Sequence, residues 1–176
     1  HCTHSLFGAD KVAADILAQE YGRYFGLNVG VFRGGCLTGP QHSAVELHGY
    51  LAYIVKCAKH NTPYTIFGYK AKQVRDQIHS YDVANVFWHF YNNPKQGVAY
   101  NLGGTKRNSI SILETIDLLD NKFGLKLQHL YKDTNRIGDH ICYYSDMGKF
   151  KKDYPAWDFT RGVEDMIAEM LSWKTL

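Results

Sequence analysis

Leu27-Asn28-Val29-Gly30-Val31-Phe32-Arg33-Gly34-Gly35-Cys36-Leu37-Thr38-Gly39-Pro40 is a short β-rich run that empties into a glycine loop. Upstream of it, residues from about Leu6 to Phe25 carry a helical pattern. Val12 and Ile16 lie one turn apart, Leu17, Tyr21, Tyr24 and Phe25 continue an apolar surface, and Gly26 supplies a left-handed stop. Helix, strand and glycine loop in that order predict a parallel α/β sheet, whose ligands sit outside the carboxyl ends of the strands.

The alternation continues downstream. A helix is expected from about Val45 to His60, then a short strand from Tyr64 to Phe67. Ser80 is expected to cap a third helix, because Val83, Val86, Phe87 and Phe90 fall at i, i+3, i+4 and i+7. Val98 to Leu102 reads as a strand ending in Gly103-Gly104. Ser111-x-x-Glu114 is a capping box opening a helix that stops at Gly124. One more strand is expected over Leu127–Tyr131, and Thr160 is expected to cap a last helix with Val163, Met166, Ile167 and Met170 facing inward. Most aromatic residues, Trp88, Trp157 and Trp173 included, read as packing.

With 176 residues the chain fits one domain-sized unit. The net charge of +3 is mild, and the one dense basic run, Lys149 to Lys152, reads as a solvated helical face, so no nucleic-acid partner is expected. Cys2, Cys36, Cys57 and Cys142 form no Cys-x-x-Cys pair, and His1 and His4 have no acidic or thiol partner at ligand spacing. No metal site is expected, and the default compartment is the reducing cytoplasm. No apolar run approaches the roughly 20 residues that cross a bilayer, so no membrane partner is expected. The chain starts with His1 rather than Met and enters a helix almost at once, from which an upstream segment is expected.

Two polar segments stand out. Gly68 to Ala84 crowds Lys70, Lys72, Gln73, Arg75, Asp76, Gln77 and His79 between an apolar run and a helix, where one element hands over to another. Asn135-Arg136-Ile137-Gly138-Asp139-His140 again sets a fork-shaped cation beside a glycine and a carboxylate. Two arginines on separate loops suit one anion with two phosphoryl groups, because each guanidinium binds oxygens bidentately and stays charged at any working pH. The alternative is that Arg75 and Arg136 merely pair with Asp76 and Asp139.

Four landmarks in order resemble the second half of an extended short-chain dehydrogenase/reductase, in the NAD-dependent nucleotide-sugar epimerase/dehydratase family. They are the helix Phe7-Gly8-Ala9-Asp10-Lys11, the Arg33 to Pro40 loop, Gln73-Val74-Arg75-Asp76-Gln77-Ile78-His79, and Arg136-x-Gly138-Asp139. The wording of Arg33 to Pro40 followed by Glu46-Leu47-His48-Gly49 resembles the group labelled CDP-paratose 2-epimerase-like.

The resemblance implies the C-terminal part of a Rossmann-like doubly wound α/β sheet with a small substrate-binding α/β subdomain. Residues 1–40 would end the dinucleotide-binding domain, and 41–176 would form mainly the nucleotide-sugar-binding subdomain, with segments returning to the Rossmann sheet. It implies NAD as cofactor, a nucleoside-diphosphate sugar as substrate, and a homodimer in the full-length protein. Lys11 takes the catalytic lysine's role of holding the nicotinamide ribose, and Gly34 and Gly35 let backbone approach the nicotinamide. Arg75, Arg136 and Tyr143 hold the diphosphate, Leu47 and Phe67 wall the base, and Cys36 stands where the group often has Asn. Phe7 occupies the position of the usual tyrosine base and has no hydroxyl. The implied activity is transient hydride transfer in a sugar epimerase. The alternatives are a 4,6-dehydratase or reductase, or a non-catalytic nucleotide-binding relative. A base from Thr3, His4 or Ser5 also stays open. The glycine-rich pyrophosphate turn is not among these residues, so the fragment alone is expected to bind NAD poorly and to be inactive.

Overall fold

The computed structural model describes residues 5–46, 49–135 and 139–173. Helix α1 spans Leu6–Phe25, capped where Ser5 Oγ accepts from the Gly8 amide at 3.0 Å and stopped by Gly26 at φ 68°. Strand β1 (Gly30–Gly34) follows and pairs in parallel with β5 (Val98–Leu102), Gly30 opposite Val98. Helix α1 lies against this pair. Gly22 meets Gly97 so closely that a Cβ would stand 2.1 Å from the Gly97 nitrogen, and Arg33 of β1 holds Asp15 through 2.7 and 3.0 Å hydrogen bonds. The first strand begins three residues later than Leu27, after the left-handed residue at Gly26.

Helix α2 covers Tyr50–Lys59, not Val45 onward, because Gly49 stands at φ 71°, outside helical space. Strand β3 (Tyr64–Phe67) is where the sequence predicts it and pairs in parallel with β7 (His129–Lys132). The polar segment after Gly68, expected as a handover between elements, contains a central strand, β4 (Val74–His79). It pairs in parallel with β2 (Cys36–Thr38) and β8 (Cys142–Tyr143) and antiparallel with β6 (Ser109–Ser111).

Helix α3 runs Ser80–Asn92 with His79, not Ser80, as its cap: His79 Nδ1 accepts from the Tyr81 amide at 3.0 Å. Helix α4 (Ile112–Phe123) has the predicted capping box and the left-handed Gly124. The basic run forms α5 (Gly148–Asp153), and α6 spans Val163–Ser172 with Met166, Ile167 and Met170 buried. Gly162 is the last helix's cap, while the Thr160 hydroxyl donates instead to buried Asp82.

Two apolar clusters hold the chain together. One joins α2, α4 and α6 through Leu51, Ile54, Leu119 and Met166, and the other joins β1, β4, β5, α3 and α5 through Ile78, Val86, Tyr100, Phe150 and Trp157. Full burial of side chains this size contributes roughly 1.5–3 kcal/mol each. Two packing expectations are corrected: Trp88 is 61% exposed and Trp173 38%. The apolar stripe of α1 is also exposed, Val12, Ile16, Leu17, Tyr24 and Phe25 among it, because within the described residues α1 rests on β1 and β5 through its Gly22 side. No described helix is long and apolar enough to cross a membrane, and the described residues contain no metal-ligating cluster.

Candidate functional site

Side chains alternate across a strand, so Gln73, Arg75 and Gln77 project from one face along β4 and its approach, and Asp76 from the other. On the first face lies a cavity of about 210 Å3, lined by Cys36, Glu46, Gly49, Tyr50, Tyr64, Phe67, Gln73, Arg75, Ile112 and Asp139. Small-ligand pockets usually enclose roughly 300–1,000 Å3. The structure thus brings together three of the candidates, Cys36, Phe67 and Arg75, with Asp139 beside them. Tyr143 stands opposite Arg75 in the β4–β8 register.

Arg75 is the charged centre. Its Nη1 donates to the Val74 carbonyl at 2.7 Å, and its Nη2 donates to Asp139 Oδ1 at 2.6 Å and to the His140 carbonyl. These bonds engage three of the five guanidinium N–H groups. The Nε–H and one Nη1–H have no partner among the described residues. The alternative pairing with Asp76 is corrected: Asp76 faces away, fully buried, and its Oδ2 accepts from the Thr105 amide at 3.1 Å and the Ser145 amide at 2.9 Å. The expected loop position of Arg75 is corrected too, since it lies on a strand paired on both edges, which fixes its direction.

Neutral groups share the lining with this cation and with the Asp139 and Glu46 carboxylates. Burial pushes the Cys36 thiol up, with the Asp76 charge adding to the shift, so Cys36 is a poor nucleophile and presents a neutral S–H. Burial raises the Tyr50 phenol far beyond its ordinary value, and its hydroxyl donates to the Ile110 carbonyl at 3.0 Å. Gln73 Nε2 donates to the Phe67 carbonyl at 2.7 Å. The lining therefore combines aromatic and apolar groups, Tyr64, Phe67 and Ile112, with charged ones, Arg75, Asp139 and Glu46.

The remaining candidates lie apart from it. Lys11 is exposed on α1, its Nζ 5.3 Å from the centre of the Phe7 ring, and its ammonium has no carboxylate partner among the described residues. Ser5 Oγ is committed to capping α1. Gly34 is exposed, and a Cβ there would meet only Leu37 at 3.5 Å, an ordinary contact, so packing within the chain does not demand glycine at that position. Gly35 does face a crowded site, where a Cβ would stand 3.0 Å from Asp76 Oδ1. Leu47 and Arg136, with Thr3 and His4, lie outside the described residues. Gln73, Tyr50, Tyr64 and Ile112 are cavity residues that the sequence reading did not single out. The spacing Gln73-x-Arg75-x-Gln77 was the available signal, hidden because Asp76 makes the other face polar as well.

Residues 2–103 match the family described as NAD dependent epimerase/dehydratase. The CDP-paratose 2-epimerase of Salmonella typhi is 30% identical over 97% of this chain and 52% of its own length. A probable dTDP-glucose 4,6-dehydratase of Sinorhizobium fredii is 28% identical over 97% of this chain and 44% of its own length. Among solved structures, the UDP-glucose 4-epimerase of Thermotoga maritima, crystallised with UDP-glucose, superposes with a TM-score of 0.84 at 21% identity, covering 98% of this chain and 54% of that one. The fold is thus that of these α/β enzymes, and the chain spans about half the length of the relatives it matches.

Proposed function

This chain belongs to the NAD dependent epimerase/dehydratase family, and from that premise we propose that it is the nucleotide-sugar-holding part of an NAD-dependent nucleoside-diphosphate-sugar epimerase. The observation that carries the reading is Arg75, held on a strand in the cavity lining, with two N–H groups that have no partner among the described residues and can serve an anion. In this reading residues 1–40 complete a dinucleotide-binding domain and 41–176 mainly cradle the nucleotide sugar. Arg75 binds the diphosphate, with Arg136 and Tyr143 beside it. Phe67 and Leu47 flank the base, and Cys36 lies near the glycosyl phosphate. Anchoring the nucleotide leaves the sugar free to turn over between two faces, which an epimerase requires.

The residues present fit part of an NAD site. Lys11 offers an uncommitted ammonium at the position of the ribose-holding lysine, and Gly34 offers exposed backbone that packing within the chain does not explain. When bound, NAD supplies a hydride acceptor and donor. Phe7 holds the Lys11 side chain against its ring and takes no proton, so the base must come from another residue. A homodimer and a cytoplasmic location belong to the same proposal, the latter suited to the free thiols of Cys36, Cys57 and Cys142.

Proton NMR of full-length protein with NAD and a nucleoside-diphosphate sugar in deuterated water tests the reading. The expected product is an epimer that keeps its original hydrogen at the inverted carbon. A 4-keto-6-deoxy product would instead assign a dehydratase. Absence of turnover with retained binding would assign the non-catalytic relative that Phe7 favours.

A further inference from the structure

Asp15, Gln19 and Arg23 follow one another at four-residue spacing along α1, and an unbroken row of hydrogen bonds runs through them. Arg33 of β1 grips Asp15 through Nε and Nη2, Gln19 Nε2 donates to the same carboxylate, and Arg23 Nη2 donates to Gln19 Oε1 at 2.7 Å. Two guanidiniums are thereby fixed at the ends of one row. With Lys149 of α5 they line a second cavity, of about 550 Å3. That volume falls in the usual range for small-ligand sites, and the lining shares no residue with the Arg75 cavity. The cavity runs beside β5 from Val98 to Asn101, not outside the carboxyl ends of the strands, where an open parallel sheet holds its ligands.

Donors are in excess around it. Arg23 commits one N–H to Glu20 and one to Gln19, and Arg33 commits two to Asp15, so each keeps three of its five. Both arginines are more than half exposed, so water screens their ion pairs and the remaining N–H groups stay attractive to an anion. Lys149 Nζ donates to the Ala99 carbonyl at 2.7 Å and keeps two N–H groups. Strand β5 adds backbone donors: the Val98 amide donates to Val29 and the Leu102 carbonyl accepts from Gly35, so alternate residues turn to β1, and the Ala99 and Asn101 amides turn to the open edge with no partner among the described residues. Against these donors the lining sets one carboxylate, Asp146, whose Oδ1 already accepts from the Gly148 amide at 2.7 Å. A matching ligand is anionic and rich in acceptors, and three cations from three elements suit more than one anionic group. We infer that this cavity is a second binding site, for a small molecule carrying two or more phosphate or carboxylate groups, with Arg23, Arg33 and Lys149 as its charged contacts.

Isothermal titration of the full-length protein with inorganic pyrophosphate, citrate and orthophosphate tests the inference, in an Arg75→Ala background that removes the other candidate diphosphate contact. Pyrophosphate, citrate or both are expected to bind about ten-fold or more tighter than orthophosphate, and the preference between the two tells phosphate from carboxylate. Adding Arg23→Gln and Lys149→Gln, both at exposed positions and checked for folding by circular dichroism, is expected to weaken that binding by about ten-fold or more. Orthophosphate binding as tightly as the other two, or binding that survives the double substitution, overturns the site. Binding that disappears with Arg75→Ala alone also overturns it, and leaves the reading of the Arg75 cavity standing.

Discussion

Arg75 Nη2 donates to Asp139 Oδ1 at 2.6 Å, tying the central strand to a segment 64 residues further along. Both side chains are mostly buried, 14% and 18% exposed. Removing one partner leaves the other desolvated and uncompensated. Asp139→Ala is expected to lower stability by about 2 kcal/mol, measured by urea denaturation. A double-mutant cycle with Arg75→Ala is expected to recover part of that loss.

Asp82 is a second anchor, fully buried at the start of α3. It accepts from the Thr160 hydroxyl at 2.5 Å, the Thr160 amide at 3.0 Å and the Arg161 amide at 3.3 Å, fastening the approach to α6. Asp82→Ala orphans those donors and is expected to cost about 3 kcal/mol. The same denaturation experiment checks it. A loss below about 0.5 kcal/mol would deny the anchor.

Three consecutive non-glycine residues, Tyr69, Lys70 and Ala71, stand at φ 48°, 51° and 61°. Left-handed backbone costs an L-residue roughly 1–2 kcal/mol. Lys70 is exposed, so its substitution isolates the backbone effect. Lys70→Gly is expected to raise stability by about 0.5 kcal/mol, and Lys70→Ile to lower it by about 1 kcal/mol. Paired thermal melts read both signs.

Glu114 closes the capping box of α4. The Ser111 side chain first, and then the Ser111 amide that donates to Oε2 at 2.8 Å, hold the carboxyl below its ordinary value. A carboxyl depressed on folding adds stability above its unfolded pKa and loses it as pH falls through the folded value. Glu114→Gln is therefore expected to cost about 0.5 kcal/mol at neutral pH and to flatten the acid limb of the stability profile. Melts taken between neutral and acid pH would show parallel curves if the carboxylate were not responsible.

Elements with strong local signals were legible. Gly26 and Gly124 end helices as read, Ser111 and Glu114 form their box, and β3 and β5 keep their predicted bounds. What escaped was non-local. Strand β4 is flanked on both edges and packed on both faces, so its polar residues are satisfied by distant groups, Asp76 by Thr105 and Ser145 and Arg75 by Asp139. A short window of sequence contains none of those partners. Strands β2, β6 and β8 are two or three residues long and exist through pairing with β4, which leaves no periodicity to detect. Helix α2 started late because a left-handed Gly49 overrode the apolar pattern. At the site, Cys36 and Arg75 were found from motifs and Phe67 from the family resemblance, whereas Tyr50, Tyr64 and Ile112 become neighbours through the fold alone.

The most direct measurement is the dissociation constant of CDP-glucose for the parent, Arg75→Ala and Arg107→Ala, each checked for folding by circular dichroism. Arg107 is exposed and pairs with Asp158 outside the cavity. Loss of a charge-assisted contact to the diphosphate is expected to weaken Arg75→Ala by about ten-fold or more, with Arg107→Ala unchanged. An Arg75→Ala protein that folds and binds CDP-glucose as tightly as the parent would contradict the account.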